Sequence, residues 1–159
     1  MATEIERKFL VVSDAWKQRA GDGIAMRQGY LLGSEKSSVR VRVAGDEASL
    51  NIKSATLGVT RAEFDYNIPV EDANELLATL CDRPLVEKVR YHVTHGEHVW
   101  DVDVFSGENA GLIVAEIELT EQNEAFQKPA WAGDEVSDDP RYYNVCLVRH
   151  PYRSWGGKR

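Results

Sequence analysis

Apolar and polar residues alternate along most of this 159-residue chain, the period-two signature of strands whose two faces meet different surroundings. The alternation predicts strands over Thr3–Val12, Met26–Leu32, Ser38–Ala44, Ser49–Ser54, Val59–Pro69, Leu85–Val93, Val99–Phe105 and Leu112–Leu119. Turn residues separate many of them: Ala20-Gly21-Asp22-Gly23, Gly33-Ser34, Ala44-Gly45-Asp46, Leu57-Gly58 and His95-Gly96. Two segments change to helical spacing. Val70–Leu80 puts Ala73, Leu76, Leu77 and Leu80 on one face and Asp72 and Glu75 on the other. Pro140–Val148 opens on Asp139-Pro140, a cap residue followed by proline at the first helical position. Residues 151–159 read as a loose or docked tail. With no repeat, low-complexity stretch or Pro/Gly-rich linker, residues 1–150 are expected to form one domain. Many strands of similar length on short turns mean a sandwich or a barrel.

The polar faces decide between these. Same-face neighbours on a strand lie ~6.5–7 Å apart. Glu4, Glu6 and Lys8 share a face, as do Arg40 and Arg42, Asn51 and Lys53, and Arg61, Glu63 and Asp65. Further along, Lys88 pairs with Arg90, Asp101 with Asp103, and Glu116 with Glu118. A solvated sandwich face would intersperse the two signs. Here like charges sit side by side, and two of them at that spacing repel by about 2 kcal/mol at an effective dielectric of about 20. Basic pairs that grip a polyanion and acidic pairs that hold a cation make sense of the arrangement. Closing the sheet with this face inward gives a mainly β protein, an antiparallel barrel with a charged lumen and a few flanking helices. The Val/Leu/Ile face then packs outward, under the helices and long loops.

Charge and composition narrow the partners. Apolar residues make up 43% and charged residues 28%, as in an ordinary folded domain. Net charge is −7, from 26 acids against 19 bases, which argues against nucleic acid as the main partner. Any anion site must therefore be a local concentration of Lys and Arg, which the lumen supplies. No apolar run approaches the ~20 residues that span a bilayer. Glu4, Glu6 and Lys8 rule out a signal peptide at the N-terminus, and two distant cysteines, Cys81 and Cys146, suggest neither a disulfide framework nor a metal knuckle. These points predict a cytoplasmic protein, monomeric or homodimeric, that binds no membrane.

The motif Glu4-Ile5-Glu6-Arg7-Lys8 resembles the Glu-x-Glu-x-Lys signature of the CYTH superfamily, the triphosphate tunnel metalloenzymes. The resemblance continues through Arg27-Gln28-Gly29-Tyr30-Leu31, Val39-Arg40-Val41-Arg42, Ile52-Lys53-Ser54, Arg61-Ala62-Glu63, Val86-Glu87-Lys88-Val89-Arg90, Asp101-Val102-Asp103-Val104-Phe105 and Glu116-Ile117-Glu118. It implies a closed eight-stranded antiparallel tunnel that binds linear triphosphates with a divalent metal, Mg2+ or Mn2+. Residue by residue, it implies that Lys8, Arg40, Arg42, Lys53, Lys88 and Arg90 bind phosphate oxygens, with Arg61 assisting. Glu4, Glu6, Glu116 and Glu118 would ligate the metal, with Glu63 and Asp103 as further ligands or supporting groups. The chemistry agrees: carboxylates suit hard cations, and arginine gives bidentate contacts to phosphate. The small bacterial members with a Gln-Gly-Tyr block are the most similar. They imply hydrolysis of inorganic triphosphate to pyrophosphate and phosphate, with Pro140–Val148 and Tyr30 at a closed end.

In the expected reaction Glu4 and Glu6 hold metal, and Lys88 or a second metal activates water for in-line attack. Two rivals share the tunnel. One is cyclisation of ATP or hydrolysis of an organic triphosphate; the other is a sensor that binds polyphosphate without turnover. His92, His95 and His98 flank Gly96 across a hairpin and suggest an exposed turn, and Trp16, Trp100, Trp131 and Trp155 suggest packing.

Overall fold

Strands β1 (Ala2–Val11), β2 (Ile24–Gly33), β3 (Ser37–Ala44), β4 (Glu47–Ser54), β5 (Thr60–Ile68), β6 (Val86–His95), β7 (His98–Phe105) and β8 (Ile113–Leu119) form one antiparallel sheet in the computed structural model, which describes residues 1–56 and 58–156. The neighbours run β5-β4-β3-β2-β6-β7-β8-β1, and β1 pairs again with β5, so the sheet closes into an eight-stranded barrel. Each predicted strand is present, with ends shifted by a residue or two. Two-residue hairpins join β3 to β4 and β6 to β7, where Ala44 faces Glu47 and His95 faces His98. Gly45 and Gly96 take the positive φ of 59° and 62° that such turns require. Leu57 of the expected Leu57-Gly58 turn lies outside the described residues, as do residues 157–159 of the tail.

A ninth strand, β9 (Ala132–Glu135), was not expected. β1 explains its place. One edge of β1 pairs along β8; the other pairs with β5 over Ala2–Ile5, then with β9 at Phe9 and Val11. Val136 N donates to Lys8 O and Lys8 N to Ser137 Oγ, so that edge stays satisfied where β5 has diverged.

Helix α1 (Val70–Thr79) covers the outer face of β3 and β4, burying Ala73 and Leu77 against Val41, Val43 and Ala48. The Trp16 turn and the segment carrying Phe126 and Trp131 cover β1, β7 and β8 outside, around Phe9, Trp100, Val102 and Ile117. Trp16, Trp100 and Trp131 are thus packing residues, as expected. Phe64 and Tyr66 on β5 are not covered; they remain 38% and 55% exposed.

The inward face is not charged throughout. At one end it becomes apolar: Tyr30, Val86, Phe105 and Val114 pack with Tyr142, Leu147 and Val148. This stopper comes from the C-terminal segment, whose expected single helix is broken. A 3-10 turn spans Pro140–Tyr142, Tyr143 is extended, and α2 runs Asn144–Arg149. Asp139 caps as expected, accepting from Arg141 N. The tail is docked as far as it is described: Tyr152 N donates to Asn109 Oδ1, and Trp155 packs edge-on against Tyr142 and Tyr152.

Candidate active site

Strand parity and closure together bring the charges into one cavity of about 220 Å3. Lys8, Arg40, Arg42, Lys53, Arg61, Lys88 and Arg90 all line it, as do Glu4, Glu6, Glu63, Glu116 and Glu118. The barrel order sorts them by sign. Neighbouring strands β5, β1, β8 and β7 carry the lining carboxylates Glu63, Asp65, Glu4, Glu6, Glu116, Glu118 and Asp101. The other half, β4, β3, β2 and β6, carries Lys53, Arg40, Arg42, Lys88 and Arg90. Lys8 and Arg61 are the basic residues of the acidic half.

Arg40 and Arg42 on the basic wall, and Arg61 on the acidic one, have no carboxylate within ion-pair distance among the described residues. Arg40 Nε is buried without a hydrogen-bond partner. Arg42 Nε donates to Gln28 Oε1 at 2.9 Å, and burial, then Arg40 and Arg90, lower the Arg42 guanidinium to about 9. Arg61 lies over the Tyr143 ring at 4.5 Å. Uncompensated cations in a confined, partly dry site are costly unless an anion completes them. Lys88 is fully buried, its Nζ donating to Asp103 Oδ2 at 2.7 Å and to Asn144 Oδ1 at 3.0 Å. Burial lowers the ammonium to about 7; Asp103 opposes the shift, and Arg90 and Arg42 add to it.

The acidic wall is crowded in the opposite sense. Glu6 faces Glu118 across β1 and β8, and Asp101 faces Glu116 across β7 and β8. Like charges directly opposite are destabilising. The Glu118 carboxyl is raised above the ordinary range by burial, then by Glu4, Glu63 and Asp101. A hard divalent cation would relieve this repulsion, and oxygen donors are the ligands it prefers. Among the described residues no three donors already converge into a metal cage. That suits an ion that completes its shell from water and phosphate oxygens. Lys53 Nζ bridges the walls at 2.8 Å from Glu4 and 3.6 Å from Glu63. Lys8 Nζ donates to Tyr142 O at 3.1 Å and lies 4.0 Å from Glu116.

Of the two roles expected for Asp103, ligand or supporting group, the geometry fits the second. Asp103 is 0% exposed and does not line the cavity. Both its oxygens are taken by basic side chains: Arg90 Nε at 2.7 Å on Oδ1, with Arg90 Nη2 at 2.9 Å and Lys88 Nζ at 2.7 Å on Oδ2. Burial alone would raise this carboxyl, but Lys88 and Arg90 outweigh it and hold it below the usual range. Asp101, its neighbour of the same parity, lines the cavity instead.

Uncharged side chains complete the lining: Tyr30, Ser38, Ser49, Asn51, Tyr143 and Asn144. Buried Gln28 sits behind them, bonded to both Arg42 and Asn144. Parity alone was a signal for Gln28 and Asn51, which share faces with Tyr30 and Lys53. The histidines do not converge. His98 Nε2 meets Glu124 at 2.6 Å, while His92 Nδ1 meets Asp101 at 2.7 Å on the lumen-side parity of β6.

A closed barrel with uncompensated arginines on one wall and crowded carboxylates on the other is a polyanion tunnel built to take its ligand together with a cation. The chain belongs to the CYTH family: residues 2–143 match the CYTH domain. It is 48% identical over 155 residues to an inorganic triphosphatase of Acetivibrio thermocellus, an alignment covering 98% of this chain and 99% of that one. A second inorganic triphosphatase, from Nitrosomonas europaea, is 35% identical over 92% of this chain and 97% of its own. A crystal structure of an inorganic triphosphatase superposes with a TM-score of 0.65 at 33% identity, covering 93% of this chain and 95% of the other.

Proposed function

We infer that this protein hydrolyses inorganic triphosphate to pyrophosphate and phosphate inside the barrel, in a metal-dependent reaction. The observation that carries the reading is the pair of lumen arginines Arg40 and Arg42, left without carboxylate partners opposite a wall of mutually repelling carboxylates. The relatives named inorganic triphosphatase support the same activity.

Lys8, Arg40, Arg42, Lys53, Arg61 and Arg90 bind phosphate oxygens along the cavity, fixing the chain in line for attack. Glu4, Glu6, Glu63, Glu116 and Glu118 hold a divalent cation, for which Mg2+ and Mn2+ are the candidates. When bound, the cation supplies countercharge to the phosphate oxygens. Lys88 is the general base. With its pKa at about 7, a large share of the amine is neutral near neutral pH and accepts the water proton. The new bond joins water oxygen to phosphorus, the bridging P–O bond breaks, and pyrophosphate leaves. Asp103 holds Lys88 and Arg90 in place from behind rather than binding metal. Arg90 also reaches Glu116 at 3.1 Å, so the phosphate wall and the carboxylate wall are mechanically tied.

The remaining assignments are proposals of the same kind. Free Cys81 and Cys146 and an acidic surface support a cytoplasmic protein that avoids nucleic acid and membrane, as monomer or homodimer. Among the described residues no helix is long and apolar enough to cross a membrane. The direct test is phosphate release from triphosphate with Mg2+ or Mn2+. Turnover that stops on chelation is expected; tight binding of triphosphate without release would make the tunnel a sensor.

A further inference from the structure

The tunnel's closed end contains a polar chain that the charge pattern did not reveal. Asn144 is the first residue of α2, at the break after extended Tyr143. Its Oδ1 accepts twice, from Lys88 Nζ at 3.0 Å and from Gln28 Nε2 at 2.8 Å. Gln28 is fully buried, and its Oε1 accepts from Arg42 Nε at 2.9 Å. One side-chain amide on the stopper therefore touches the water-activating lysine directly and a phosphate-binding arginine through one intermediary. The orientation of each amide is dictated by its partners: both groups facing Asn144 Oδ1 are donors, and only an oxygen can accept from Arg42.

We propose that Asn144 is a positioning residue for catalysis, aiming the Lys88 amine into the tunnel and, through Gln28, setting the Arg42 guanidinium. The geometry at Lys88 gives the reason. A lysine nitrogen has three positions besides its carbon, and it turns freely about that bond. Asp103 Oδ2 at 2.7 Å takes one position and Asn144 Oδ1 at 3.0 Å takes the second. The third is left for the cavity that Lys88 lines. With Asp103 alone, the nitrogen could rotate about a single hydrogen bond, and its lone pair would spend most of its time off the attacking water. Two anchors on different elements, β7 and α2, remove that freedom. The same amide makes the closed end part of the active site rather than a passive plug, because α2 must be seated for Lys88 to be aimed.

The inference rests on Lys88 being the base, and a double-mutant cycle keeps the two ideas separable. Triphosphate hydrolysis with Mg2+ is measured for the wild type, Asn144→Leu, Asn144→Asp, Lys88→Met and the pair Asn144→Leu/Lys88→Met, with thermal unfolding of each. Asn144→Leu keeps the volume and removes the acceptor. It should lower kcat by roughly tenfold to a hundredfold while KM moves by less than about threefold. Asn144→Asp keeps an acceptor for both donors but adds a carboxylate that raises the Lys88 pKa, so kcat should recover toward wild type only as the pH is raised. In the Lys88→Met background, Asn144→Leu should cost much less, only the part that acts through Gln28 on Arg42. If Lys88→Met itself leaves turnover intact, the base assignment fails. If Lys88→Met abolishes the fast reaction but Asn144→Leu leaves kcat unchanged, or lowers it equally in both backgrounds, the positioning role is overturned. Should Asn144→Leu fold poorly, Gln28→Glu provides a second route. It keeps the acceptor for Arg42 but loses the donor to Asn144, so a loss of kcat with unchanged KM is expected, and no loss counts against the chain of contacts.

Discussion

Lys88 Nζ is enclosed by one carboxylate, one amide and the Phe105 ring at 5.4 Å, and that enclosure has consequences for stability as well as chemistry. Burial lowers its pKa from the ordinary 10.5 to about 7. Between those values the unfolded chain carries a proton that the folded chain has released, so folding gains stability as pH rises through the window. Below about 7 both states are protonated and the cost of burying the ammonium is fully felt. The stability of the wild type minus that of Lys88→Met should therefore rise by at least about 1 kcal/mol between pH 7 and pH 9.5, in denaturant titrations without metal or phosphate. A flat or falling difference would mean Asp103 keeps the lysine charged. A second contrast separates the walls. Arg40→Ala would remove the proposed phosphate contact, worth about 1.5–3 kcal/mol, so KM should rise at least tenfold and extra metal should not help. Glu118→Gln leaves a neutral, weaker oxygen ligand, so turnover should fall sharply and recover in part as Mg2+ is raised. Equal metal dependence in both variants would contradict the division between walls.

At the scale of elements, α1 is a structural brace with no side chain in the cavity, and a test can isolate it. Leu77 is buried between α1 and the outer face of β3 and β4. Leu77→Ala should cost about 2–5 kcal/mol in chemical denaturation yet leave KM for triphosphate within twofold, provided the assay is run where the variant is folded. The strands and this helix were legible because period-two and period-3.6 patterns report which faces are buried. β9 was not: Ala132-Gly133-Asp134-Glu135 has no alternation, and it exists because β1 needs a partner beyond Ile5. The break at Tyr143 was hidden for a related reason. Apolar spacing over Pro140–Val148 fits a helix, but Tyr143 is held by tertiary bonds, its hydroxyl donating to Ser137 O and accepting from Gly58 N. Parity also says nothing about depth. Val86 and Val114 share the inward faces of Lys88 and Glu116, yet they belong to the apolar stopper. Asp103 and Asp101 likewise share parity, and only depth and pairing separate the buried anchor from the lining residue. Charge pointed to the side chains that line the cavity but could not choose between the ligand and supporting roles of Asp103, and it gave Gln28 and Asn144 no role because neutral amides leave no sign to read.

For the whole molecule, a barrel stoppered at one end admits substrate from the other, and this sets what can be turned over. The two exposed lining side chains, Asp65 and Glu118, are acidic, and the half-buried ones include Glu6, Glu63, Asp101 and Ser49 beside Arg40, Arg42, Lys53, Arg61 and Arg90. None of these offers an aromatic face on which a nucleobase could stack. A linear triphosphate carries several negative charges near neutral pH and, on the proposed assignment, would engage Arg40, Arg42, Arg61 and Arg90 at once. Pyrophosphate has one phosphoryl group fewer and leaves part of that set unpaired in a confined site. ATP has the length, but it gives up one terminal oxygen to the nucleoside and must leave adenosine at an acidic mouth. Forgoing one charge-assisted hydrogen bond to an arginine should cost about 1.5–3 kcal/mol, roughly tenfold or more in kcat/KM. The expected order of kcat/KM is triphosphate well above ATP, and ATP above pyrophosphate, with thiamine triphosphate below triphosphate for the same reason as ATP. Because the arginine set is a charge array, KM for triphosphate should also rise steeply with ionic strength. Phosphate-release assays across the four substrates, with Mg2+, with Mn2+ and with a chelator, check the order. A preference for ATP over triphosphate, or efficient formation of a cyclic nucleotide, would overturn this order.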